Sequence, residues 1–354
     1  MLDHSNDTAR QQVGPGPRDA GEGRVTTRRI HCSHNREAAR IGGRMPSSSS
    51  SVTLGSGINL GNALDAADGD EHALRLQWRY FDEIKAAGFD TVRLPVAWSA
   101  HAEQTAPYTV EQDFFQRVDR AVDQALARDL NVVLNVHHYH ELNHAPDAQT
   151  ERFLALWRQI APRYGDRPDR LHFELLNEPR AAMTAQRWNA LLRHALAAVR
   201  ESSPERTVLI GPAEMNDISA LSKLELPDDD HLVATVHYYA PFEFTHQGAP
   251  WVKNSDPWLG TTWGGEADRK TVSEDLAVAA AWTEAHAVPL FIGEFGAYER
   301  ADMDSRVRWT AWVREEAERL RIGWAYWEFG TDFGAYARET DTWREPLRQA
   351  LIPE

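Results

Sequence analysis

From Gly57 onward, short apolar runs alternate with longer stretches whose apolar residues recur every three or four positions, as expected for buried strands followed by amphipathic helices. The first run is Gly57-Ile-Asn-Leu-Gly61. The helix after it is expected to place Leu74, Trp78, Phe81 and Ile84 on one face and to end at Gly88. Thr91-Val-Arg-Leu-Pro95 reads as a second strand, followed by a helix with Phe114, Phe115, Val118, Val122 and Leu126 inward. Asn131-Val-Val-Leu-Asn-Val136 is apolar or β-branched almost throughout, which suits a strand buried on both faces of a parallel sheet, and Phe153, Trp157 and Ile160 mark its helix. The fourth strand starts at Leu171, with a helix from near Thr184 carrying Trp188, Leu191, Leu192, Leu196 and Val199. Further strands follow at Thr207–Gly211, Leu232–His237, Leu290–Glu294 and Ile322–Trp327. Helices are predicted from a capping box at Thr271-Val-Ser-Glu274, around 307–320, and at 343–351.

Eight strands alternating with helices over roughly 300 residues predict an α/β fold, the (β/α)8 TIM barrel, whose strand C-terminal ends line one mouth. A doubly wound open sheet is the competing architecture. No Gly-x-Gly-x-x-Gly follows the first strand and no phosphate loop occurs, so the usual nucleotide-binding reason for that sheet is missing. Residues 1–51 show neither period, are rich in Arg, Ser and Gly, and are expected to form a disordered polar tail before a barrel domain at 52–354. The charge shifts there too, from +3 over residues 1–51 to −18 over the rest. Met45, just before a serine run, is a candidate alternative start.

The net charge of −15 argues against nucleic acid or an anionic membrane as a partner and suits a neutral or cationic ligand. Cys32 is the only cysteine, which excludes an intramolecular disulfide framework. No apolar run reaches the roughly 18 residues needed to span a bilayer, and the first 30 residues lack the apolar core of a secretory signal. The expectation as the sequence stands is a cytoplasmic monomer, with secretion open if the N-terminus is mis-assigned.

Candidate chemistry sits where the apolar runs end. Leu171-His-Phe-Glu-Leu-Leu-Asn-Glu-Pro179 is a buried-strand run leading to the polar pair Asn177-Glu178 and a helix-breaking proline. Pro289-Leu-Phe-Ile-Gly-Glu-Phe-Gly296 repeats the design with Glu294. Two carboxylates at two strand ends are a candidate acid and base. In a barrel, Asn62, Arg93, His137, Asn177, Glu178, His237, Tyr239, Glu294 and Trp327 would meet at one rim. Each alone has an ordinary explanation, as an ion-pair partner, a satisfied histidine or core packing; the convergence points to a site. A metal centre built on His137, His138, His237, Glu178 and Glu294 is disfavoured, because alternate residues at a strand end diverge rather than chelate. No metal or other cofactor is expected. The loop after the sixth strand holds Phe242, Phe244, Trp251, Trp258 and Trp263 without a helical period. Flat aromatic faces suit the C–H faces of sugar rings, so Trp258 and Trp263 are predicted to bind substrate rather than to pack as a self-contained lid.

With Asn177-Glu178-Pro179 and Gly293-Glu294-Phe295-Gly296 in place, the chain from about Leu54 to Pro353 resembles the retaining β-glycosidases of glycoside hydrolase family 5, the cellulase family. Gly57-Ile-Asn-Leu-Gly-Asn62, Val92-Arg-Leu-Pro95, His137-His138, His237-Tyr-Tyr239 and Trp324-Ala-Tyr-Trp-Glu-Phe329 match in type and order. The polar tail and the lack of a recognisable signal peptide or carbohydrate-binding module depart from it. The resemblance implies Glu178 as acid/base and Glu294 as nucleophile, with Arg93 and Tyr239 beside the nucleophile and Asn177 on the sugar 2-hydroxyl. It further implies that His137 and His237 orient the carboxylates, and that Asn62, His138 and Trp327 contact substrate. It implies an endo-β-1,4-glucanase acting on cellulose, cello-oligosaccharides or mixed-linkage β-glucan, with mannan and xyloglucan as alternatives within the family. Desolvation beside a second carboxylate is expected to keep Glu178 protonated near neutral pH. A non-catalytic carbohydrate-binding barrel is the alternative from another class.

Overall fold

The computed structural model of the protein describes residues 54–67 and 69–354; the expectations for the tail, Cys32 and Met45 lie outside them. Eight parallel strands close into a barrel in sequence order, β1 (Ser56–Asn59), β2 (Thr91–Leu94), β3 (Asn131–Asn135), β4 (Leu171–Glu174), β5 (Val208–Ile210), β6 (Leu232–Tyr238), β7 (Leu290–Phe295) and β8 (Gly323–Tyr326). The helices are α1 (Trp78–Ala86), α2 (Gln112–Leu126), α3 (His140–His144), α4 (Pro146–Arg163), α5 (Ala185–Arg200), α6 (Phe242–Thr245), α7 (Glu266–His286), α8 (Met303–Arg319) and α9 (Glu345–Leu351). Every residue of β2, β4, β5, β6 and β7 is buried, as the continuous apolar runs require. Among the described residues, no helix is long and apolar enough to cross a membrane.

The helices cover the barrel with the faces their sequences define. In α2, Phe114, Phe115, Val118, Ala121, Val122 and Ala125 are buried, and α5 begins at Thr184, whose side chain accepts from the Arg187 amide. Inside the barrel, Leu54, Val133, Leu209, Val233, Phe291 and Ala325 form a separate apolar cluster. Val133 and Asn135 lie two apart on β3 and so share a face, which places a polar layer next to this plug, on its mouth side.

Two predicted elements start elsewhere. Helix α1 begins at Trp78, not before Leu74. Leu74 is buried in the preceding loop, whereas Trp78 is 43% exposed, so the inner face is Tyr80, Phe81 and Ile84. Helix α7 begins at Glu266, five residues ahead of the expected capping box. Asp268 accepts from the Gly264 and Gly265 amides and ends the chain's approach there, while Thr271 bonds back to the Ala267 carbonyl from inside the helix.

One irregularity positions the chemistry. The β6–β7 register runs Val236 with Ile292 and then His237 with Glu294, and the β7–β8 register also gains one residue on β7 between Ile292 and Phe295. This is a one-residue bulge, which locally rotates the strand. It sets Glu294 opposite His237.

Candidate active site

The mouth is built around Arg93 on β2, which is completely buried. A guanidinium has five N–H donors, and all five are used. Nε and Nη2 donate to the two oxygens of Glu174, both at 2.7 Å; Nη2 also donates to Asn177 Oδ1 (2.7 Å), and Nη1 to Asn59 Oδ1 (2.8 Å) and Glu294 Oε1 (2.6 Å). A planar, rigid donor fork therefore fixes side chains from β1, β4, β7 and the segment after β4 relative to one another.

Glu294 receives a second donor, the Tyr239 hydroxyl, at Oε2 (2.9 Å). Burial, then the charges of Glu294 and Glu178, hold the Tyr239 phenol well above its usual pKa, so it stays a donor. Glu178 lies across the mouth. Its Oε1 is 2.9 Å from His237 Nδ1, and Oε2 accepts from Arg180 Nη1 at 3.1 Å. His237 Nδ1 also stands 3.5 Å from Glu294 Oε2. Ligand-type atoms of Glu178, His237 and Glu294 lie within 4.8 Å of one another.

The expectation that desolvation keeps Glu178 protonated is corrected by these contacts. Burial is the largest single influence and pushes the carboxyl up, but the hydrogen bond and charge of His237, with Arg180 and Arg93, outweigh it and hold Glu178 below its usual value. The position of the motif also differs. Strand β4 stops at Glu174, and Asn177-Glu178 lies beyond it, with the Asn177 amide bonded to the Val136 carbonyl (2.9 Å) and Glu178 at φ 47°. The residue before a proline is driven out of right-handed helical backbone, and here a left-handed turn aims Glu178 inward.

His137 is buried and stacked parallel to Trp327 (5.7 Å between centroids, 4°), and its Nδ1 faces the Asn135 amide nitrogen at 3.0 Å. Burial first, then the charges of His138, Arg93, His237 and Arg180, push its pKa well below 6.5 and keep it neutral. Trp327 is half-buried on Gly61, where a Cβ would come within 2.7 Å of the indole, so only glycine lets the ring lie flat there. Asn62 donates to Thr331 Oγ1 (2.8 Å), and His138 Nε2 lies 3.5 Å from Asp65 Oδ2. Asp65, His137 and His138 form the other cluster of ligand-type atoms among the described residues.

The aromatic loop divides. Trp263 does not face the mouth: it is 2% exposed and belongs to the main core, with its amide on Ser305 Oγ and its carbonyl on Arg308. Lack of helical period did not mean exposure, because a loop can send single side chains inward. Phe244 is likewise core. Trp258 is half-buried and reaches the site only through a chain of rings: edge-on to Phe242 (6.1 Å), which stacks on His246 (4.0 Å), which meets Tyr239 (5.1 Å).

Several residues escaped the sequence reading. Glu174 and Asn59 hold Arg93, and Asn135 orients His137. Glu328, fully buried, accepts from the Gly330, Thr331 and Phe333 amides and the Thr331 hydroxyl. Burial pushes it up to about 7 against those donors, and it anchors the loop that carries Asn62's partner. A charged residue inside a strand otherwise buried on both faces was the available signal for Glu174, since such a group needs a partner.

Comparison with known proteins bears on the family and the fold. Residues 72–332 match the model of the cellulase family, glycosyl hydrolase family 5. Endoglucanase H of Acetivibrio thermocellus is 33% identical over 305 residues, 84% of this chain; the chain spans only 33% of that relative's length. Endoglucanase A of Ruminococcus albus is 30% identical, with 84% of this chain and 89% of the relative covered. The crystal structure of endoglucanase Cel5A from Thermotoga maritima superposes with a TM-score of 0.83 at 48% identity, over 84% of this chain and 97% of that one. Cel5A has also been solved with cellobiose and with mannotriose. The barrel, the paired glutamates and a family match across most of the described chain lead to one assignment: the chain belongs to glycosyl hydrolase family 5, the cellulase family.

Proposed function

We propose that the protein is an endo-β-1,4-glucanase that cleaves internal bonds of cellulose, its soluble derivatives or mixed-linkage β-glucan by double displacement. The observation that carries this reading is the spacing of the carboxylates. An oxygen of Glu178 and an oxygen of Glu294 lie within 4.8 Å of each other, a close approach that favours the roughly 5–5.5 Å carboxyl spacing of retaining enzymes over the spacing of about 6.5–9.5 Å in inverting ones. Glu294, oriented by Arg93 and Tyr239, attacks the anomeric carbon. Glu178 gives its proton to the departing oxygen, then takes one from water as the glycosyl–enzyme ester is hydrolysed. Asn177, fixed by Arg93, is the group for the sugar 2-hydroxyl, and Trp327 offers the sugar a flat apolar face.

Mannan is a second reading, favoured by the mannotriose complex of Cel5A. Reducing-sugar release from carboxymethyl cellulose, barley glucan, lichenan, glucomannan and xyloglucan separates them. Highest rates on the glucans support the proposal, and a clear preference for glucomannan over every glucan contradicts it.

Arg180 gives a pH prediction. Its positive charge helps hold the Glu178 carboxyl low, and the general acid must be protonated to work, so kcat/KM falls as pH rises through the Glu178 titration. In Arg180→Gln that charge is lost, Glu178 titrates higher, and the alkaline limb should move up by about half to one pH unit. An unmoved limb in a folded variant would show that Arg180 does not act on Glu178.

A further inference from the structure

Three consecutive residues, Glu214, Met215 and Asn216, occupy the left-handed region, with φ of 65°, 63° and 58°. Such backbone is unfavourable for a residue with a Cβ, so a run of three persists only where its surroundings over-determine it. Here the Met215 amide donates to the Pro179 carbonyl (3.1 Å), and the Asn216 carbonyl accepts from the His237 amide (2.9 Å). Lys223 pairs with Glu214 at 2.5 Å. The turn thus joins the segment just after Glu178 to β6 at His237.

The turn also delivers the Asn216 side chain, which is completely buried. Its Nδ2 lies 3.3 Å from His237 Nε2. Its Oδ1 accepts no hydrogen bond from the described residues and packs on Gly211, where a Cβ would come within 2.3 Å. On the other side of the same imidazole, Nδ1 faces two carboxylates, Glu178 at 2.9 Å and Glu294 at 3.5 Å. A neutral imidazole has one N–H, and the partner of one nitrogen decides which nitrogen carries it. An amide N–H on Nε2 requires the proton on Nδ1, where the carboxylates need a donor. The opposite amide orientation would put an acceptor on Nε2, draw the proton there and leave a bare Nδ1 against two negative charges.

We propose that Asn216 is a positioning residue that selects the Nδ1–H tautomer of His237, so that His237 donates to Glu178 and thereby sets the proton affinity of the acid/base. This rests on the reading of Glu178 given above. The other groups facing the pair are Arg180 from the loop after β4, Arg93 from β2, His137 after β3, Tyr239 after β6, Glu294 on β7 and His246 after α6. None of them contacts Nε2 within hydrogen-bonding distance, so the tautomer is left to Asn216.

The test is 15N NMR of the imidazole nitrogens of His237, combined with the pH dependence of kcat/KM, in the native chain and two variants. Asn216→Gly removes the amide and keeps the left-handed backbone accessible; Asn216→Asp keeps the shape and replaces the donor with an acceptor. The native protein should show Nδ1 protonated and Nε2 bare. Asn216→Asp should show a proton on Nε2. Asn216→Gly should lose the single tautomer and move the alkaline limb up by about half to one pH unit, as a donor to Glu178 is withdrawn. A native His237 protonated on Nε2 alone overturns the proposal, as do variants whose nitrogen shifts and limb match the native ones. The two readings fail separately: a native chain that cleaves β-glucan with the wrong tautomer refutes the role of Asn216 alone. A chain that cleaves no glycan refutes the hydrolase reading, whatever the tautomer.

Discussion

Glu294→Ala is expected to lower kcat on β-glucan by about 10⁴-fold or more while the barrel survives, because the group proposed to form the covalent intermediate has no substitute in the site. Folding should persist because Arg93, though it loses one acceptor, keeps both oxygens of Glu174 and the amides of Asn59 and Asn177. Glu178→Ala should behave differently in a diagnostic way. General acid catalysis is worth about 10²–10⁴-fold, so polysaccharide turnover falls by that factor. An aryl glycoside whose leaving group needs no proton should lose far less in its first step, and the glycosyl–enzyme should then accumulate for want of a base. Steady-state and burst kinetics on both substrate types check this. Equal losses for Glu178→Ala on the two substrates would remove the acid/base role, and a folded Glu294→Ala enzyme of near-native rate would remove the nucleophile.

Arg93→Met is expected to cost both stability and activity. Glu174 has no exposed surface, and without the guanidinium its nearest remaining donor is Asn135 Nδ2 at 3.4 Å. Breaking a buried ion pair from one side costs about 3–5 kcal/mol, a large share of a stability of about 5–15 kcal/mol. Denaturant unfolding should read that loss. Removing Glu174 as well, in Arg93→Met with Glu174→Leu, should recover part of it, since well-packed apolar replacements of buried pairs are often neutral, while Glu294 still lacks the guanidinium and keeps only Tyr239 as a donor. Activity should not recover, because Asn177 and Glu294 still lack the donor that orients them. A single variant of native stability would mean that the buried pair adds nothing to folding, and a double variant of native rate would mean that Arg93 acts only on the fold.

The parts of the barrel legible in the sequence were those with a strong period. The run Asn131–Val136 suited a strand buried on both faces and holds β3, and the faces of α2 and α5 repeat every three to four residues. Less legible was what depends on a hydrogen bond between distant residues. Nothing local to Thr271 revealed that Asp268 had already capped the helix, and Trp263 is core because α8 packs over its loop. The two glutamates proposed as acid/base and nucleophile stood out because each closes an apolar run. Glu174 did not, because it sits inside one, with both of its oxygens on Arg93. The depression of Glu178 could not be read either: it depends on Arg180, two residues on, folding back through a left-handed turn, and on a histidine 59 positions away. Asn216 lay in a stretch without period, and only the left-handed run brings its amide to His237.

The central claim is that Glu294 becomes covalently bonded to the sugar during turnover. Incubating the native enzyme with a 2-deoxy-2-fluoro-β-cellobioside carrying a good leaving group slows both steps but the second one more, so the ester should be trapped and read by peptide mass spectrometry. The account predicts one fluorocellobiosyl adduct per chain, on the peptide that carries Glu294. An adduct on another carboxylate, or continued turnover with release of the α-anomer and no adduct, would contradict it.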